Sequence, residues 1–83
     1  MRILYFAWLK QKTGKGEETL IPPAGVRTVA ALIDYLRARS AGHAAALGDL
    51  KLVRVAVNQE FAELEAAIGP NDEIAFFPPV TGG

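Results

Sequence analysis

The segment from Ile3 to Leu9 is apolar on both faces of the strand that it predicts. Aromatic and branched residues dominate it, and such residues favour extended backbone. Successive side chains of a strand point to opposite sides. The segment therefore presents two apolar rows, Ile3, Tyr5, Ala7 and Leu9 in one and Leu4, Phe6 and Trp8 in the other. Such a strand is either central in a two-sided layered structure or covered by a partner on its second face.

A hairpin connection and a second strand are expected next. Lys10–Gly16 is polar and contains glycine, which predicts the connection. Glu17–Ile21 predicts a second strand, antiparallel to the first. Pro22-Pro23 ends it, because proline cannot donate to a strand ladder.

Thr28 is expected to cap the main helix, since its hydroxyl can accept a hydrogen bond from the first helical turn. Arg37 and Arg39 fall in the last turn, where the helix dipole favours cations. We expect Gly42 to end this helix and the alanine-rich segment His43–Leu47 to form a short helical turn. The apolar residues recur at helical spacing, at Val29, Leu32, Ile33 and Leu36.

The second half of the chain predicts further strands and the turns between them. Turn-forming residues cluster at Asn58-Gln59 and at Gly69–Asp72. Glu63–Ile68 is compatible with either a turn of helix or irregular chain. The predicted strands are Leu52–Val57, the short Glu60–Ala62 and Glu73–Phe77.

This order of elements predicts an α+β fold of the β-grasp, ubiquitin-like kind. The apolar stripe of the helix has to be buried against the sheet. A right-handed crossover after the helix places the final strand parallel to the first, near the centre of the sheet. We therefore expect a single domain over residues 1–83, in which a mixed sheet of four to five strands packs against one main helix.

One helix can cover only one face of this sheet, so the other face has to be open. We expect Ile3, Tyr5 and Ala7 in the core. A contiguous apolar patch on the open face would mark an interaction site. The alternative is that the long side chains of Lys10 and Arg54 shield it in part. The residues expected there are Leu4, Phe6 and Trp8, with Phe61 and Phe77 near them.

The composition argues against several classes of function. Lys plus Arg and Asp plus Glu number 9 each, and zero net charge argues against nucleic-acid binding, which usually needs a basic face. The chain has no cysteine, so it has no thiolate nucleophile and no Cys-based metal site. His43 alone cannot build a metal site, and we expect it at the surface near a helix end. With no apolar run long enough for a bilayer and no signal peptide, we expect a cytoplasmic protein that does not bind membranes.

The sequence ends in Gly82-Gly83, after a stiff apolar run that contains Pro78 and Pro79. Proline favours an extended stem, and glycine lets the tip enter a channel too narrow for side chains. We expect residues 79–83 to form a flexible reactive tail that reaches about 17 Å at full extension. The α-carboxylate of Gly83 is ionised at neutral pH and can attack ATP to form an acyl-adenylate. The chain has no Gly-rich phosphate loop, so the activating enzyme has to be separate.

Three segments resemble one family. The ending from Asp72 to Gly83 closely resembles that of the small, sulfur-carrier subunit of molybdopterin synthase. Ala56–Gln59 resembles the family's internal strand-turn element, and Phe6-Ala7 is similar to part of its first strand. The resemblance covers essentially the whole chain. It implies a β-grasp fold, in agreement with the pattern of strands and helix.

The resemblance also implies a carrier rather than a catalyst. On this basis, a ubiquitin-activating-like adenylyltransferase uses ATP to adenylate Gly83, and a sulfur donor enzyme then supplies the sulfur of a thiocarboxylate. The tail, with Gly82, inserts into the large subunit, which holds the catalytic residues. There the sulfur passes to cyclic pyranopterin monophosphate during molybdenum cofactor biosynthesis. The family forms a heterotetramer with two small subunits at the ends of a dimer of large ones, and we expect this chain itself to bind no cofactor or metal.

The residues that contact the large subunit are also implied by the resemblance. They belong to the open face of the sheet and to the tail, and they are Phe6, Lys10, Phe61, Phe77, Pro78, Pro79, Val80 and Thr81. The sequence departs from better-known members around Thr13–Gly16 and in Arg39–Lys51, where loop length varies easily. Those departures could alter partner choice.

Three other functions stay open. The chain could carry sulfur for another pathway, such as thiamine biosynthesis, although the aromatic-proline run before Gly82 argues against it. It could be a ubiquitin-like modifier joined through Gly83 to protein lysines. It could also be an interaction domain with an inert tail.

Overall fold

The computed structural model describes residues 1–79, so that Val80, Thr81, Gly82 and Gly83 of the predicted tail lie outside the described residues. The described part contains strands and short helices in an alternating order. The strands are β1 (Arg2–Tyr5), β2 (Glu17–Thr19), β3 (Arg54–Val57), β4 (Glu60–Phe61) and β5 (Glu73–Phe77). The helices are α1 (Trp8–Thr13), α2 (Val29–Arg37) and α3 (Ala41–Ala46), with a short 3-10 helix at Leu50–Leu52.

The strands form one mixed sheet in the order β2-β1-β5-β3-β4. The last strand in the chain, β5, is central and runs parallel to β1, with Ile3 opposite Ile74 and Tyr5 opposite Phe76. Both β2 and β3 are antiparallel to their inner neighbours. The predicted β-grasp topology is therefore confirmed, including the parallel central pair.

The core lies between α2 and one face of the sheet. The apolar stripe of α2 is at most 1% exposed, and complete burial of each large apolar side chain stabilises the fold by about 1.5–3 kcal/mol. Both layers contribute side chains. The helix supplies Val29, Leu32, Ile33 and Leu36, and the sheet supplies Ile3, Tyr5, Val55, Ile74 and Phe76.

Helix α2 begins where the sequence predicted. The side chain of Thr28 accepts a hydrogen bond from the backbone N–H of Ala31 at 3.1 Å. The prediction that Gly42 ends this helix is wrong. Helix α2 ends at Arg37, and Ser40 caps a new helix by accepting from the N–H of His43. Gly42 lies inside α3, the short helix that was predicted only from His43 onwards.

The first strand is shorter than predicted, because the chain turns at Ala7. Strand β1 ends at Tyr5, and the segment expected to be a hairpin connection is largely the helix α1, closed by Gly14 in the left-handed region. Ala7 was expected in the core, but it is exposed. Trp8 packs against the core rather than lying on the open face. Leu9 is fully buried, but from a helix and not from a strand.

The other strand boundaries differ from the prediction at their ends. Strand β2 stops at Thr19 instead of Ile21, and β3 begins at Arg54 because Asp49 caps the 3-10 helix that takes up Leu52. Strand β5 has the predicted bounds. Between β4 and β5 the chain is irregular, with a single bridge from Thr28 to Ala67. None of the helices within residues 1–79 is long and apolar enough to span a membrane.

The close crossing of α1 and α3 makes a testable prediction at Gly42. A Cβ at this position would overlap the carbonyl oxygen of Lys12, so G42A has to push the two helices apart. We expect the free energy of unfolding to fall by about 1–3 kcal/mol, as in other overpacked sites. Urea denaturation measures the loss. The matched control is G25A, because a Cβ at Gly25 meets no atom within 4 Å. Equal stability of G42A and wild type would contradict the close crossing.

Candidate functional site

The face of the sheet opposite α2 is apolar along its middle. One row of residues in register crosses all five strands, and its centre consists of the small side chains of Ala75 and Ala56. We call this side of the sheet the open face. The row contains, from edge to edge, Glu17, Leu4, Ala75, Ala56 and Phe61. Ala56 is buried and Ala75 is half-buried, so the exposed apolar surface of this row is largest at Phe61.

An aromatic pair stands at one side of this row. The rings of Phe61 and Phe77 have their centroids 5.8 Å apart and are tilted by 54°. Phe61 is 80% exposed, which leaves most of a large apolar ring in water. Exposed aromatic residues of this kind are enriched where proteins bind one another. The structure therefore brings together two of the predicted contact residues.

Phe6 and Lys10 meet in a separate cleft of about 600 Å³ beside Leu4 and Gly16. Phe6 is 49% exposed, and its N–H continues the ladder to Phe76 O at 3.1 Å. It therefore lies on the same side of the sheet as Phe77. No carboxylate within residues 1–79 forms an ion pair with Lys10. The cleft thus offers an aromatic ring and a cation together.

A charged cluster borders the other side of the face. The guanidinium of Arg2 bonds Glu17 at 2.7 Å and Glu73 at 3.3 Å. The hydrogen bond and the charge of Arg2 lower the pKa of Glu17, and Glu17 in turn raises the pKa of Arg2. Arg2 and the two central alanines were missed from the sequence, although the alternation along each strand places them on this face.

The alternative prediction was that long charged side chains shield the apolar face. They do not shield the aromatic pair. Arg54 directs its guanidinium to the carbonyl oxygens of Lys51 and Val53, and the stem of Lys10 lies against Gly16. Phe61 stays exposed. The open face is thus available to a partner at the end of the sheet where β5 leads into the tail.

Strand β5 delivers the chain to this end of the face. Pro78 and Pro79 follow Phe77 directly and are half-buried. The rest of the predicted site, Val80, Thr81, Gly82 and Gly83, lies outside the described residues. Within residues 1–79 no three His, Asp or Glu side chains converge as a metal site would require.

His43 is buried, so its prediction as a surface residue was wrong. It is 3% exposed, its Nε2 lies 2.7 Å from the Glu18 carboxylate, and its Nδ1 lies 2.7 Å from the Ser40 hydroxyl. The hydroxyl of Tyr5 donates to the same carboxylate oxygen of Glu18 at 2.7 Å. The hydrogen bonds explain why an isolated histidine can be buried here, because both ring nitrogens of His43 have a polar partner.

This buried cluster shifts the pKa of Glu18 and the pKa of Tyr5. Burial raises the pKa of Glu18, but the hydrogen bonds from His43 and Tyr5 outweigh burial and leave its pKa below the ordinary value. Burial and the bond to Glu18 both raise the pKa of Tyr5. The cluster ties the edge strand β2 to α3 and lies on the core side of the sheet, away from the open face. We therefore assign it a structural role.

Comparison with known proteins agrees with the fold and the sequence pattern. The model of the ThiS family matches residues 3–83. The chain belongs to the ThiS family. It is 39% identical, over all of its length and 99% of the relative's, to the molybdopterin synthase sulfur carrier subunit of Escherichia coli (strain K12). The human protein of the same name is 33% identical, with 100% of this chain and 93% of the relative covered. The resemblance to small sulfur-carrier subunits is confirmed.

A solved structure supports the β-grasp fold independently. SAMP1 from Haloferax volcanii, a small archaeal modifier protein, superposes with a TM-score of 0.68 and 27% identity. The match covers 100% of this ThiS-family chain and 98% of that one. The predicted ubiquitin-like fold class is therefore confirmed.

The Glu18 cluster makes a pH-dependent prediction. Folding lowers the pKa of Glu18. Ionised Glu18 therefore stabilises the fold at pH values above its unfolded pKa, near 4.5. This contribution is lost as the pH falls through the lower pKa of the folded state. At pH 7 we expect E18Q to lower the free energy of unfolding by about 1–3 kcal/mol. The difference from wild type should shrink below about pH 4.5.

Urea denaturation at pH 7 and at low pH measures both effects. The matched control is E17Q, which removes an exposed ion pair and should lower the free energy of unfolding much less than E18Q does. A gap between wild type and E18Q that is absent at pH 7, or constant down to pH 3, would show that the buried carboxylate does not stabilise the fold.

Proposed function

We propose that this chain is the sulfur-carrier subunit of molybdopterin synthase. The observation that carries the proposal is its 39% identity, from end to end, to the Escherichia coli protein of that name. In this function the α-carboxylate of Gly83 is adenylated, converted to a thiocarboxylate and inserted into the large subunit. There it gives its sulfur to cyclic pyranopterin monophosphate in the synthesis of the molybdenum cofactor.

The chemistry of the tail is consistent with this function. An ionised carboxylate is a poor electrophile, so it first attacks the α-phosphorus of ATP and releases pyrophosphate. A sulfur nucleophile then displaces AMP from the acyl-adenylate and leaves sulfur on Gly83. The chain has no cysteine, so the sulfur it carries cannot be held on a cysteine thiolate. We propose that ATP is bound by a separate adenylyltransferase and that a donor enzyme supplies the sulfur, all in the cytoplasm.

The geometry of the open face supports a carrier that is held by its partners. The exposed ring of Phe61 packs against the half-buried Phe77, which directly precedes Pro78. Burial of this pair in a partner offsets the cost of ordering the tail, which is about 1–2 kcal/mol for each residue fixed. The large subunit supplies the catalytic residues and completes a heterotetramer. In this arrangement the domain positions Gly83, and Gly83 carries the reactive group.

The proposal predicts a defined mass change at the C-terminus. After incubation with ATP, the adenylyltransferase and a sulfur donor, intact-mass spectrometry should show the replacement of one oxygen by one sulfur. The change should map to Gly83. The control is the chain lacking Gly83, which should stay unmodified because Gly82 does not enter the enzyme at the correct depth. An unmodified wild-type chain, under conditions that thiolate the Escherichia coli relative, would overturn the proposal.

A ubiquitin-like modifier is the second candidate function. The observation that favours it is the structural match to SAMP1, a small archaeal modifier protein, over 100% of this chain. In that case the activated carboxyl group of Gly83 would form an amide with a lysine of another protein. After trypsin, lysine-linked peptides that carry residues 55–83 of this chain would reveal it, because Arg54 is the last basic residue before Gly83. A strain that needs the chain for molybdenum cofactor synthesis and contains no such peptides would decide for the carrier.

The proposal also predicts that Phe61 binds the partner and contributes little to folding. We expect F61A to weaken binding to the large subunit at least 10-fold, about 1.4 kcal/mol. Its free energy of unfolding should change by less than about 1 kcal/mol, because the side chain is 80% exposed. Isothermal titration calorimetry measures the affinity, and urea denaturation measures the stability.

The matched control for F61A is I21A. Ile21 is 91% exposed and equally apolar, but it follows Leu20, which pairs with Met1 at the opposite end of the sheet from Pro78. I21A should bind the large subunit as tightly as wild type. Equal affinities of F61A and I21A would show that the aromatic pair is outside the interface.

A further inference from the structure

The connection between β1 and α1 contains a strained residue. Ala7 has φ 56° and ψ −134°, in a region that glycine enters freely and residues with a Cβ avoid. Nothing in the residue type predicts this conformation. Strain of this kind persists only where the surrounding structure enforces it, and it is concentrated at functional sites.

Two buried anchors enforce the strain. Tyr5 before the turn is 1% exposed and Leu9 after it is 0% exposed, and both belong to the core. The N–H of Phe6 bonds Phe76 O at 3.1 Å, and the N–H of Leu9 returns to Phe6 O at 3.2 Å. These bonds close a turn over Phe6–Leu9, and Ala7 is the residue of that turn with positive φ.

Phe6 is the large side chain that this turn leaves exposed. It is 49% exposed, although Tyr5 and Leu9 on either side of the turn are buried, and it shares its cleft with Lys10. A glycine at position 7 would satisfy the same turn with less strain, but it would also allow other backbone conformations. The methyl group of alanine restricts the backbone conformations that residue 7 can adopt. The orientation of Phe6 is thereby fixed before any partner arrives.

We propose that Ala7 is a positioning residue, whose strained backbone holds Phe6 on the open face in the conformation that binds the large subunit. This inference rests on the proposed function, because it takes the large subunit as the partner. Ala7 makes its contribution through Phe6 and not through a contact of its own. A preorganised side chain loses less entropy on binding, and the affinity rises accordingly.

The test is A7G in the full chain. We expect it to melt at the wild-type temperature or above, because the relief of strain offsets the extra freedom of the unfolded chain. Its affinity for the large subunit should fall by about 3- to 10-fold. Trp8, the only tryptophan in the chain, follows the turn directly, so acrylamide should quench its fluorescence more strongly in A7G.

A double-mutant cycle with F6A separates positioning from other effects. If Ala7 acts through Phe6, F6A and the F6A/A7G double variant bind the large subunit equally, because A7G has nothing left to disorder. The matched control is Q59G, which relaxes another residue with positive φ, 71°, in the β3–β4 turn. Q59G should leave the affinity unchanged.

The outcomes distinguish this inference from the proposed function. A wild-type chain that does not bind the large subunit contradicts the proposed function. A wild type that binds, with A7G binding equally well, overturns the positioning role alone. If A7G melts below wild type, the backbone of Ala7 is not strained. If the losses of affinity from F6A and A7G add in the double variant, Ala7 does not act through Phe6.

Discussion

The parallel pairing of β1 with β5 determines where both the core and the open face lie. It joins the two ends of the chain at the centre of the sheet, with Ile3 opposite Ile74 and Tyr5 opposite Phe76. These four side chains are almost fully buried against α2. The same parallel direction brings the ends of both strands to one edge of the sheet, so that Phe6 and Phe77 are neighbours where the chain leads into Pro78.

The two faces of the sheet divide folding from binding. The face under α2 holds the core, and its burial of large apolar side chains stabilises the fold. The open face keeps apolar groups in water, above all the exposed ring of Phe61. Exposure of this kind costs stability and solubility unless a partner covers it. The proposed sulfur carrier needs such a face, because the large subunit has to hold the domain while it acts on Gly83.

Local signals explain which parts of the fold could be predicted from the sequence. The start of α2 follows from Thr28 and the apolar spacing after it, and β5 follows from a turn-rich boundary at Gly69–Asp72. The failures come from long-range contacts. Strand β1 ends early because burial of Tyr5 and Leu9 forces Ala7 into a conformation that alanine rarely adopts. His43 is buried because Glu18, 25 residues away, provides its partner. For the candidate site, strand alternation was enough to place Phe6, Phe61 and Phe77 on one face, whereas Trp8 was misplaced by the missed helix.

Hydroxyl-radical footprinting of the chain, free and bound to the large subunit, can show which face binds the partner, because it reports the solvent exposure of individual side chains. We expect the open face to hold the partner and β5 to direct the tail into the partner. We predict that Phe6 and Phe61 become protected in the complex, whereas Ile21, 91% exposed at the other end of the sheet, keeps its rate of oxidation. Unchanged oxidation of Phe61 in a saturated complex, or protection confined to Ile21, would contradict the account.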